Sequence, residues 1–195
     1  MSTGRKSLLL GTVLLGHLLI GIAIIWIFKR SATGNYIIHL FISRYWLWQS
    51  ALSVLIGLSL AYFFTIVIER RNVKIPAKMQ TIFRDLGPNA SYGLQVLAGF
   101  YEEFLFRGVL QGLMAPEFGK IPSLLIAWFA FTALHVPQYW RAKEFIVGVA
   151  ALSAACGIWF AVTGNLIGPI VIHMVFNVYV TRKKSGSLFS SEIMG

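Results

Sequence analysis

Acidic residues and cysteine are both scarce in this sequence. Asp and Glu together number 7 in 195 residues, with Asp85 the one aspartate and Cys156 the one cysteine. A lone cysteine excludes an intrachain disulfide and any cysteine-rich metal site. A lone aspartate excludes a paired-aspartate protease. An H-E-x-x-H run is also missing, which removes the zincin arrangement of two histidines and a glutamate on one helical face. Charged residues make up 12% of the chain, against roughly a quarter in soluble domains, so a soluble globular domain is disfavoured.

The apolar set accounts for 57% of residues, and it falls in long runs. A helix needs about 20 apolar residues to cross a ~30 Å hydrocarbon core. Such runs occur at about 8–28, 45–68, 91–114, 121–136, 145–162 and 166–180. They are continuous rather than alternating, which argues against a β-barrel. The first is too long for the apolar part of a signal peptide and precedes no A-x-A-like cleavage site, so it reads as a retained span. The expectation is an all-α, polytopic transmembrane bundle of about six spans. Two N-terminal helices and a basic loop occupy residues 1–90, a membrane core 91–181, and a short basic tail 182–195.

Basic residues outnumber acidic ones by 17 to 7. Alternate connections hold twelve and four of them, so the asymmetry reports topology rather than nucleic-acid binding, and it puts both termini in the cytoplasm. The 69–90 connection is the longest. It is basic and poor in aromatics, a composition suited to anionic headgroups.

Six residues do not belong in such spans. Glu102, Glu103 and Arg107 interrupt the third, His135 lies near the end of the fourth, and His173 and Asn177 interrupt the sixth. One charge at mid-bilayer costs about 2.5–3.5 kcal/mol on insertion scales, so the third span must gain something from three. Glu103 and Arg107 are four apart with the acid first, the favourable order for an ion pair on a helix. Glu102 is turned about 100° from Glu103 and is the worse-placed partner, which leaves it free to exchange a proton with water. His173 and Asn177 share a face, and His135 adds a second imidazole. These are the parts of a water-activating, oxyanion-binding site. Zinc held by Glu102, His135 and His173 is the metal-dependent alternative; Arg107 argues against it because a cation already neutralises Glu103. Gly57-Leu58-Ser59 is too short a match to indicate a serine nucleophile. Gly108 and Gly112 form a GxxxG suited to close helix approach, and Cys156 reads as packing.

Glu102-Glu103-Phe104-Leu105-Phe106-Arg107 resembles the EExxxR motif of the CPBP family, which comprises the type II CAAX prenyl endopeptidases and their bacterial Abi relatives. Phe131-Thr132-Ala133-Leu134-His135 is similar to that family's FxxxH motif, and His173-Met174-Val175-Phe176-Asn177 to its HxxxN motif. All three stand in family order. The resemblance implies a glutamate-type intramembrane endopeptidase of a prokaryotic cell membrane that cleaves membrane-anchored peptides or proteins, prenylated ones among them. It implies that Glu102 and His135 activate water, that His173 and Asn177 hold the oxyanion, and that Glu103 and Arg107 support them. The competing readings are a proton- or cation-coupled transporter and a non-proteolytic immunity or interaction protein of the membrane.

Overall fold

A computed structural model describes the backbone of residues 3–74 and 76–190. The last five residues of the expected basic tail lie outside the described residues, as do the side chains of Arg5, Lys6, Lys78 and Lys184. Helices α1 (Thr3–Lys29), α2 (Thr33–Phe41), α3 (Trp46–Arg70) and α4 (Ala77–Glu103) are followed by a π-helical segment (Phe104–Gln111). Then come α5 (Gly112–Phe118), α6 (Lys120–Tyr139), α7 (Lys143–Thr163) and α8 (Ile167–Ser190). The described residues contain no strand, and the expected all-α bundle is what forms. Four stretches are long and apolar enough to cross a membrane: Leu15–Phe41, Trp46–Arg70, Lys120–Tyr139 and Lys143–Thr163. The other two expected spans, 91–114 and 166–180, run through α4, the π segment and α8, the elements that carry the interior polar groups.

The expected loop at 69–90 is instead helical from Ala77. Its local sequence is polar, but Met79 and Phe83, four apart, turn one face inward, and Phe83 is buried. Tertiary packing of that face outweighs the polar composition. At Gly87 the backbone takes φ 73° and ψ 173°, ending the first half of α4, and Pro88 starts the second half with its fixed φ. The connection between the first two expected spans is also largely helical, as α2, after a break at Arg30.

Helix α8 is the centre of the bundle, packed chiefly against α3 and α4, while α6 packs on α7. Two apolar clusters flank the polar residues. Ala61, Phe64, Phe145, Ile172 and Phe176 form one, and Ile25, Leu40, Phe104, Phe160 and Leu166 form the other. Helices α3 and α8 approach closely at Gly57, where an added Cβ would lie 2.8 Å from the Ile172 carbonyl oxygen and 3.0 Å from Val175 Cβ. Gly57 is thus a packing residue, and the neighbouring Ser59 is exposed. Gly57→Val is expected to lower stability by about 1–3 kcal/mol, the usual cost of overpacking. Ser59→Ala should leave it unchanged. Thermal unfolding in detergent checks both, and equal midpoints would contradict the assignment.

Candidate active site

The first glutamate pair ends α4. Adjacent residues on a helix diverge by about 100°, and here the two carboxylates enter different environments. The Glu103 side chain is fully buried, whereas that of Glu102 is 30% exposed. Glu103 Oε1 accepts a 2.7 Å hydrogen bond from His173 Nδ1, and Glu103 Oε2 lies 3.1 Å from Arg107 Nε in the ion pair expected from the spacing. The bond to His173 joins residues 70 apart in sequence and is not visible from either segment alone.

Arg107 needs further partners because it is also buried. Its Nη2 donates to the Ser153 carbonyl at 2.7 Å and to Ser153 Oγ at 2.9 Å, which ties the π segment to α7. The Phe131 ring lies 4.8 Å from the guanidinium centre, stacks on His135 at 4.5 Å and meets His173 edge-on at 5.8 Å. A quadrupolar ring face attracts the cation and the ring body fixes both imidazoles, so Phe131 orients three of the polar groups at once.

The π-helical turn is a feature that the sequence did not reveal. Wider π hydrogen bonding shifts the faces that follow Glu103, and such segments are frequent at functional sites. The Gly108 carbonyl accepts a 2.6 Å bond from the Tyr36 hydroxyl, and Gln111 Nε2 donates to the Gly157 carbonyl at 2.9 Å. Gly108 and Gly112 permit this approach. A Cβ at Gly108 would lie 3.2 Å from both Leu40 and Leu166, and one at Gly112 would strike the Tyr36 hydroxyl.

Helix α6 continues through Pro137 to Tyr139, so the span does not stop at His135. His135 Nδ1 is 2.8 Å from the Phe131 carbonyl oxygen, which can only accept; Nδ1 therefore carries the proton and donates. His173 Nδ1 likewise donates to the Glu103 carboxylate. Each ring thereby turns Nε2 toward Glu102 Oε2, at 3.8 Å from His135 and 3.6 Å from His173. These separations exceed direct hydrogen-bond lengths and suit a bridging water. Among the described residues no three His, Cys, Asp or Glu side chains meet the geometry of a metal centre. Of the donors present, Glu102, His135 and His173 come nearest to sharing one point.

A cavity of 290 Å³ opens from these groups. Glu102, His135, His173 and Asn177 line one end, and Gln95, Tyr139 and Thr181 continue it toward the end of the bundle where α6 terminates. All six residues singled out in the sequence thus come together, four at the cavity and two, Glu103 and Arg107, behind it. Sequence reasoning missed Ser153, Tyr36 and Tyr139. Tyr139 stands one turn after His135 and its ring lies parallel to the imidazole at 6.4 Å, so the i+4 spacing was an available signal. Ser153 has no local signal, since its role depends on which helix faces Arg107.

Residues 90–179 match the family described as type II CAAX prenyl endopeptidase Rce1-like. Among curated proteins, the uncharacterized protein YpbD of Bacillus subtilis (strain 168) is 36% identical over 84 residues. That alignment covers 43% of this chain and 40% of YpbD, so the chain matches well under half of that relative's length. No solved structure matches the chain. The matched stretch, just under half of the chain, holds the six polar residues from Glu102 to Asn177, and over it this chain is similar to the Rce1-like type II CAAX prenyl endopeptidases.

Proposed function

We propose that this chain hydrolyses a peptide bond in a membrane-anchored peptide or protein, using water activated by Glu102 and His135. The observation that carries this reading is the unequal treatment of adjacent carboxylates. Glu103 is buried and held by His173 and Arg107, while Glu102 faces the cavity opposite two Nε2 atoms. A water between Glu102 Oε2 and His135 Nε2 donates to both, which directs an oxygen lone pair away from them. Attack on the scissile carbonyl carbon forms the new C–O bond as Glu102 takes the proton. The developing oxyanion is held by the Asn177 side-chain amide and by His173 Nε2. Because His173 Nδ1 already donates to Glu103, this second role requires a proton on Nε2 as well. Collapse breaks the C–N bond, and Glu102 returns its proton to the leaving amine.

No step calls on a metal. The cation already beside Glu103 is Arg107, and the two imidazoles have their Nδ1 protons placed by Glu103 and Phe131. The test uses purified protein in detergent with a library of membrane-anchored peptides, prenylated and not. Cleavage by the wild type and none by Glu102→Ala is the expected result; no cleavage of any member, or equal cleavage by both proteins, overturns the reading.

The basic-residue asymmetry supports an orientation in which the cavity opens to the cytoplasm. Reporter fusions after Ser43, between α2 and α3, and after Lys184 should report outside and inside respectively. Both on one side would contradict the proposed topology.

A further inference from the structure

A second cavity, of 350 Å³, lies between α3 and α7 on the outside of the bundle. Phe63, Val67, Val147 and Ala151 wall it, and its floor is formed by the rings of Phe64 and Phe176, which also line the catalytic cavity. Phe63 and Val147 are about two-thirds exposed, so the groove opens sideways into the surrounding hydrocarbon. Gly148 makes the groove possible: the Phe64 ring fills the position where a Cβ would stand, 2.5 Å away. One end differs from the rest. Arg71 and Lys143 stand there with Glu144, two cations against one carboxylate. Glu144 Oε1 touches Arg71 Nη1 at 3.5 Å, and the Arg71 side chain is 68% exposed, so the guanidinium keeps donors for another anion.

We propose that this groove binds an anionic phospholipid, with an acyl chain along Phe63, Val67 and Val147 and the headgroup phosphate on Arg71 and Lys143. A cavity of this size is at the small end of ligand sites and adequate for a segment of an acyl chain. The excess positive charge lies at one end only, as an amphiphile with one anionic end requires. A guanidinium matches phosphate oxygens in a fork geometry, and in a zwitterionic headgroup the lipid's own ammonium offsets that phosphate's charge. The site does not depend on the proposed proteolysis, although a chain lying on Phe64 and Phe176 touches the outer side of the catalytic wall.

The test is native mass spectrometry of the full chain, released from detergent after incubation with phosphatidylglycerol or phosphatidylcholine of equal chain length. Phosphatidylglycerol should be retained over phosphatidylcholine by about five- to thirtyfold, as one or two interfacial basic residues provide. The double variant Arg71→Ala/Lys143→Ala, altered at exposed positions, should lose that preference. Val147→Trp, which fills the groove from α7, should reduce retention of both lipids. Inorganic phosphate in excess should not displace the lipid. Equal retention of both lipids by the wild type, an unchanged preference in the double variant, unaffected binding in Val147→Trp, or displacement by phosphate alone would each overturn the proposal.

Discussion

Glu102→Gln is expected to abolish hydrolysis while leaving thermal stability nearly intact, and Arg107→Ala to lose both. The amide keeps the size of Glu102 and its place at the cavity, but it cannot take a proton from water. Its side chain is 30% exposed and the Nε2 atoms of His173 and His135 are 3.6 and 3.8 Å away, so few folded-state contacts depend on the negative charge. Arg107 is the opposite case. Removing it strips Glu103 of its ion pair in a buried site and leaves Ser153 Oγ and its carbonyl without their donor. Breaking a buried pair from one side typically costs about 3–5 kcal/mol, because a charge is left without compensation. The measurements are peptide cleavage, folded yield by size-exclusion chromatography and the unfolding midpoint in the same detergent. Equal loss of stability in the two variants would contradict the division between a reacting and a supporting glutamate.

Asn177→Ala should lower kcat by about 10²–10³ with little change in KM, the usual effect of removing one oxyanion donor. Asn177 lines the cavity that Glu102 and His135 also line, on the same face of α8 as His173 and one turn along. Chelators should leave the wild type active. A zinc mechanism with Glu102, His135 and His173 as ligands makes the reverse forecast: extensive chelation erases activity, added metal restores it, and the Asn177 effect is secondary. Metal analysis of the purified protein, run alongside the kinetics, separates the two. Loss of activity on chelation together with a KM effect at Asn177 would remove both the metal-free water and the oxyanion role.

The sequence by itself determined the helical class, the membrane setting and six of the polar residues that the fold brings together, but not Ser153, Tyr36 or Tyr139. The reason is energetic: apolar runs of spanning length are visible one residue at a time, and a charge inside such a run is costly enough to stand out. Neighbour relations within one helix were legible too, as the Glu103–Arg107 pair and the shared face of Gly108 and Gly112 illustrate. Relations between helices were not. That His173 clasps Glu103, that Ser153 anchors Arg107, and that Phe131 orients Arg107 and both histidines follow from which faces meet, and 3.6-residue periodicity does not encode this. The π turn at 104–111 and the helical course of the supposed 69–90 loop also arose only in the folded chain. In both places the local preference is weak, and contacts from α2, α7 and the apolar core decide the backbone because burying a face and satisfying a carbonyl outweigh propensity.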